Sequence, residues 1–81
     1  MSKQQISTSS VVADVSNITI AALDGDFSVA ITHRRRTYRM QVDNTGMHAW
    51  GAGSRPSSEP LCRALVKIAV RTVDAFIYAC D

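Results

Sequence analysis

Two cysteines among 81 residues are too few to staple a small domain, and these two are placed where they cannot bond to each other. Cys62 and Cys80 fall in one apparent helix, where the rise between them is roughly 27 Å, far beyond disulfide reach. They read as buried thiols in a reducing cytoplasm. Cys62 of one chain could meet Cys80 of another only across an antiparallel pair of helices, and no residue demands that. His33 and His48 are distant from the cysteines and from each other, so no zinc spacing exists, and neither a metal nor a cofactor is expected. No apolar run approaches the length of a membrane span, so no membrane partner is expected. Residues Met1 to Ser10 are polar and lack the apolar core of a signal peptide, which also points to the cytoplasm. There is no Ser/His/Asp arrangement at a recognisable spacing and no carboxylate pair beside a general acid. Asp24, Asp26 and Asp43 sit in or beside turns, where backbone chemistry explains them. The expectation is a binding protein with no catalytic residue, not an enzyme.

The chain does have hydrophobic residues in ordinary globular proportion, 46%, with a net charge of only +2. They are concentrated in an apparent helix from Ser58 to Asp81. At about 100° per residue, Arg63, Lys67, Arg71, Asp74, Tyr78 and Asp81 form one narrow polar stripe. Leu61, Ala64, Leu65, Ile68, Thr72, Ala75, Phe76 and Ala79 form one apolar face. Cys62, Val66, Ala69, Val70, Val73, Ile77 and Cys80 form another beside it. That arc is roughly twice the 100° a helix needs to lie on one sheet. In a chain near the lower size limit for one core, a second copy is the cheapest cover. The sequence therefore predicts a homo-oligomer, a dimer or higher, joined by helices through Cys62, Val66, Val70, Val73 and Ile77.

Ahead of the helix the pattern is β. Residues 1–10 read as a loose polar tail and 11–81 as one α+β domain. Val15 to Leu23 is rich in β-branched residues and ends at Asp24-Gly25, a hairpin signal. Phe27, Val29, Ile31 and His33 alternate with Ser28, Ala30 and Thr32. A tight turn at Arg34-Arg35 leads to Tyr38, Met40 and Val42, alternating with Thr37, Arg39 and Gln41. Asn44-Thr45-Gly46 is a further turn, and Met47 to Trp50 a short strand. Gly51 to Pro56 forms a loop, Ser57 or Ser58 caps the helix, and Glu59 and Pro60 suit its first turn. The predicted fold is an antiparallel meander of three to four strands followed by one long C-terminal helix.

Three features carry possible binding chemistry. Arg34, Arg35, Arg36 and Arg39 lie within six residues, and arginine forks match phosphate geometry; a solvated hairpin tip that blunts a sheet edge explains them as well. Gly51, Gly53, Ser54, Arg55, Ser57 and Ser58 precede a helix N-terminus, where free N–H groups and the helix dipole favour an anion. That segment is neither a Walker loop nor a dinucleotide fingerprint, and a capped connection explains it equally. Trp50 and His48, on one strand face beside it, are suited to stacking a base or to anchoring a core.

The segment from Trp50 to Val70 resembles the C-terminal part of small phage-encoded proteins of the ABA-sandwich type. There a strand carrying a tryptophan leads through a small-residue loop into a helix opening Pro-Leu-x-x-Cys-Arg-Ala or similar. Trp50, Ala52, Pro60, Leu61, Cys62, Arg63, Ala64 and Leu65 carry the likeness, although Cys62 follows Leu61 without the spacer residues. The resemblance implies a phage or prophage origin, a small α+β fold and a bacterial host cytoplasm. It supplies no catalytic residues.

Together these features predict a phage-type protein that sequesters a phosphate-bearing ligand, such as a nucleotide signal, to counter bacterial defence. The counter-defence part is implied by the resemblance alone. Two alternatives differ in class. One is a nucleic-acid-binding module using the arginine hairpin. The other is a module that inhibits a host protein through a surface patch.

Overall fold

The structure, a computed structural model, describes residues 13–80, with backbone only for Leu23 and Cys80. The expected polar tail lies outside the described residues. Four strands, β1 (Val15–Leu23), β2 (Asp26–His33), β3 (Arg36–Asp43) and β4 (His48–Trp50), precede one long helix, α1 (Glu59–Cys80). The strands form a single antiparallel sheet in chain order. The chain is thus an α+β domain with a four-strand meander and a C-terminal helix.

The connections follow from turn chemistry. Asp24 and Gly25, at φ 44° and 88°, make the left-handed pair that a two-residue hairpin requires. At the next hairpin Arg34 and Arg35 adopt the same region, φ 49° and 68°, without a glycine between them. The left-handed region costs an L-residue about 1–2 kcal/mol, least for Asp and Asn, so this turn bears the cost at two arginines where the first bears it only at Asp24. Asp14 offsets part of that cost. Its carboxylate accepts the Arg34 Nε–H at 3.0 Å, and its carbonyl accepts the Arg34 backbone N–H at 3.4 Å.

Alternation decides which side of the sheet is the core. Val29, Ile31 and His33 of β2 and Tyr38, Met40 and Val42 of β3 are buried, while Thr37, Arg39 and Gln41 face solvent. The pairing of Met40 with Trp50 and Val42 with His48 places both β4 side chains on the same side as the core. α1 lies over β2 and β3 on that side. Phe27 meets Phe76 edge to face at 5.8 Å, which fixes the C-terminal half of the helix over the start of β2.

The helix does not divide into one covered and one uncovered face. Its buried residues, Cys62, Ala64, Leu65, Ile68, Ala69 and Val73, come from both expected faces. The sheet sits against the middle of the apolar arc, taking its centre and leaving its flanks. Two residues of the expected oligomer interface are therefore withdrawn from it: Val73 is buried in the core between helix and sheet, and Cys62 is buried with its thiol donating to the Pro56 carbonyl of the preceding loop. Val66, Val70 and Ile77 are half-buried against the edge of the core. Arg63, Lys67, Arg71, Asp74 and Tyr78 are exposed, as the polar stripe requires.

Candidate functional site

β4 is three residues long, whereas the helix beside it runs for 22. The mismatch leaves an open groove of about 760 Å³ between the β4 edge and the N-terminal half of α1. Trp50 and His48 form one wall, their rings edge to face at 6.3 Å. Pro60, Cys62 and Val66 supply apolar surface, and Arg55, Glu59, Arg63 and Lys67 supply charge. Positions 59, 63, 66 and 67 recur at helical spacing, so one flank of α1 faces the groove.

The charges are not equivalent. Arg55 donates to the Glu59 carboxylate four residues on, so these two largely cancel. Arg63 and Lys67 have no carboxylate partner among the described residues. The groove is thus an aromatic and apolar trough with two uncompensated cations along one side. That combination suits a ligand with a flat apolar part and an anionic part. Guanidinium and ammonium groups at i and i+4 can reach the same phosphate or carboxylate from one helix.

The Gly51–Ser58 loop is already committed to holding itself together. The Gly51 N–H donates to the Arg39 carbonyl at 2.8 Å, and the Ser54 N–H donates to the Gly51 carbonyl at 2.9 Å. Gly53, at φ 70°, occupies the position of this turn that favours glycine. At Gly51 a Cβ would lie 3.2 Å from the Arg39 carbonyl oxygen, so a side chain would press the strand away. Ser58 caps the helix by accepting the Leu61 N–H at 3.4 Å. The Cys62 thiol donates to the carbonyl of buried Pro56 at 3.2 Å. Of the expected anion cradle of Gly51, Gly53, Ser54, Arg55, Ser57 and Ser58, the Gly51 and Ser54 N–H groups and the Arg55 guanidinium have internal partners. Glu59, in the first helical turn, adds a negative charge where that anion was expected.

The expected site residues fall into two groups. His48, Trp50 and Arg55 line the groove; Arg34, Arg35, Arg36 and Arg39 do not. Arg34 is tied to Asp14, and Arg39 stands on the outer face of the sheet opposite Ala30. Arg35, Arg36 and Arg39 make no ion pair among the described residues. Arg63 and Lys67 were missed as site residues, because a polar helical stripe reads as a solvated face. The available signal was their spacing of four on a helix that follows a tryptophan-bearing strand.

Among the described residues no cluster of three or more metal-ligating side chains occurs, and no helix is long and apolar enough to cross a membrane. Comparison of the chain with protein-family models, with curated proteins and with solved structures found no match.

Proposed function

We propose that the protein binds a phosphate-bearing ligand with a planar ring, of the nucleotide class, in the groove between β4 and α1. The observation that carries this reading is the pairing of a half-exposed Trp50 with the uncompensated cations Arg63 and Lys67 in one trough. The ring stacks against Trp50, with His48 fixing the indole edge. The phosphate lies along the helix flank, where Arg63 gives a fork and Lys67 a point charge. Holding the ligand there without turnover amounts to sequestration. Its use against bacterial defence rests on the sequence resemblance, not on the groove.

Calorimetric titration with linear and cyclic nucleotides tests the reading. Arg63→Ala or Lys67→Ala is expected to weaken binding by about tenfold to a hundredfold, the worth of one charge-assisted hydrogen bond. Arg34→Ala is expected to leave affinity unchanged. No heat with any nucleotide sinks the proposal.

A second reading has its own observation. Arg34 and Arg35 hold a strained hairpin where glycine is favoured, and strain persisting in a segment that needs none is a pointer to function. Arg35 and Arg36 make this tip basic, with Arg34 paired to Asp14 and Arg39 on the outer face of the sheet, and such a tip is suited to a nucleic-acid backbone. Binding there falls steeply with salt. Gel shifts that are absent, or that ignore salt, remove it.

A further inference from the structure

Among the described residues β1 is an edge strand with little to guard it. Among the described residues it pairs only with β2, and its sequence, VSNITIAAL, contains no charge and no proline. Charges and prolines are what ordinarily keep an exposed edge from pairing with another chain. A register shift between Val15 and Asn17 confines irregularity to one end and leaves the remainder straight. Because α1 lies over β2 and β3, the core side of β1 is incompletely covered. Ile18 is 38% exposed, Ala22 is exposed and Ile20 is half-buried.

The hairpin fixes which backbone groups point outward. Leu23 and Asp26 close the two-residue turn as a hydrogen-bonded pair. Alternation along the ladder then aims the N–H and C=O groups of Ala22, Ile20 and Ile18 away from β2, toward the open edge. The residues with free backbone groups are thus also those with under-covered side chains on the core side.

We propose that this edge is a homodimer interface, with β1 pairing antiparallel to β1 of a second copy about a two-fold axis at Thr19. Thr19 is the midpoint of the strand, so this register overlaps its whole length. It sets Ile18 opposite Ile20 of the second copy, and both have outward-pointing backbone groups, so they form hydrogen-bonded pairs. Every side chain stays on its own face, and both helices lie on the same side of one continuous sheet. Ile18 and Ile20 of the two copies then lie side by side between the helices.

Charge favours the same partner. One end of the β1–β2 hairpin carries exposed Asp24 and Asp26; the other carries exposed Arg35 together with Arg34, which is paired to Asp14. Antiparallel apposition sets Asp24 of each copy opposite Asp14 of the other with Arg34 and Arg35 beside them, so both signs meet at each end and no charge lies at the axis. The β4 edges and their grooves lie at the two far ends of the joined sheet, so the dimer and the ligand proposal stand or fall separately.

Sedimentation equilibrium of the full chain, with substitutions at exposed Thr19, tests the interface. Wild-type protein is expected at dimer mass. Thr19→Lys and Thr19→Asp each set two like charges face to face and are expected to raise the dimer Kd at least about tenfold. An equimolar mixture of the two variants is expected to recover dimer mass, which a merely misfolded variant cannot do. Gln41→Lys, on the same sheet face but two strands away, is expected to change nothing. A wild-type monomer at micromolar concentration overturns the proposal. So does a dimer indifferent to both Thr19 variants, which would move the contact to Val66, Val70 and Ile77 or to another surface.

Discussion

The carboxylate of Asp43 accepts three hydrogen bonds within one turn, from the Thr45 hydroxyl at 2.6 Å, the Thr45 N–H at 2.9 Å and the Met47 N–H at 3.0 Å. These bonds, the Thr45 hydroxyl first, hold its pKa below the usual aspartate value of 3.8. A carboxylate whose folded pKa is depressed adds its stabilisation fully above the unfolded pKa and loses it as pH falls through the folded one. The β3–β4 connection is therefore expected to loosen in acid, below the ordinary aspartate range. Trp50, on the strand that this turn delivers, reports it. Its emission should shift in that window in wild type, and Asp43→Ala should show the loosened signal at neutral pH and no step in acid. At this scale much was legible in sequence. Asp24-Gly25 and Asn44-Thr45-Gly46 announce turns because few other residues tolerate those angles. What sequence could not show is that Arg34 and Arg35 occupy left-handed backbone, since neither residue favours it, or that Arg55 is neutralised by Glu59.

β2, β3 and α1 were readable because each has a clear period, β1 by its β-branched residues ending at Asp24-Gly25, and β4 by the turn before it. β2 and β3 alternate, α1 repeats at helical spacing, and residues from Ser57 to Pro60 supply start signals for the helix. The reading of the helix surface went astray for a geometric reason. A 22-residue helix against a sheet buries the middle of its apolar arc, and a wheel divided into two faces puts the boundary where the sheet lies. Leu65, fully buried, stands at that centre, and Tyr78, 86% exposed, at the opposite side. Leu65→Ala is expected to cost about 2–5 kcal/mol, most of what so small a core supplies. Tyr78→Ala is expected to stay within about 0.5 kcal/mol of wild type. Urea unfolding of both variants checks the orientation, and similar costs would mean that the helix is rolled away from the described packing. The Arg63–Lys67 flank became a candidate site only with the fold, because its partner is β4, a three-residue strand whose shortness opens the groove.

As a whole molecule, the domain is a sheet with one helix laid off its edges. That leaves two unlike margins. On the β4 side the uncovered strip of helix and strand forms a charged aromatic groove. On the β1 side the uncovered strip is a neutral strand edge. A wider helical layer would cover both; among the described residues the helical backbone besides α1 is the pair Ala13–Asp14 that leads into β1. The binding reading thus follows from the same economy that sets the fold: surface left open by a short β4 is where Trp50, Arg63 and Lys67 converge. Trp50 is the single tryptophan, so its fluorescence reports the groove without background from other indoles. The decisive measurement is a titration of Trp50 emission with a panel of linear and cyclic nucleotides, in wild type and in Arg63→Ala. A saturable change with at least one nucleotide, weakened by the substitution, is the predicted result. Emission indifferent to every nucleotide at millimolar concentration, or a change that Arg63→Ala leaves intact, would contradict the assignment of the groove.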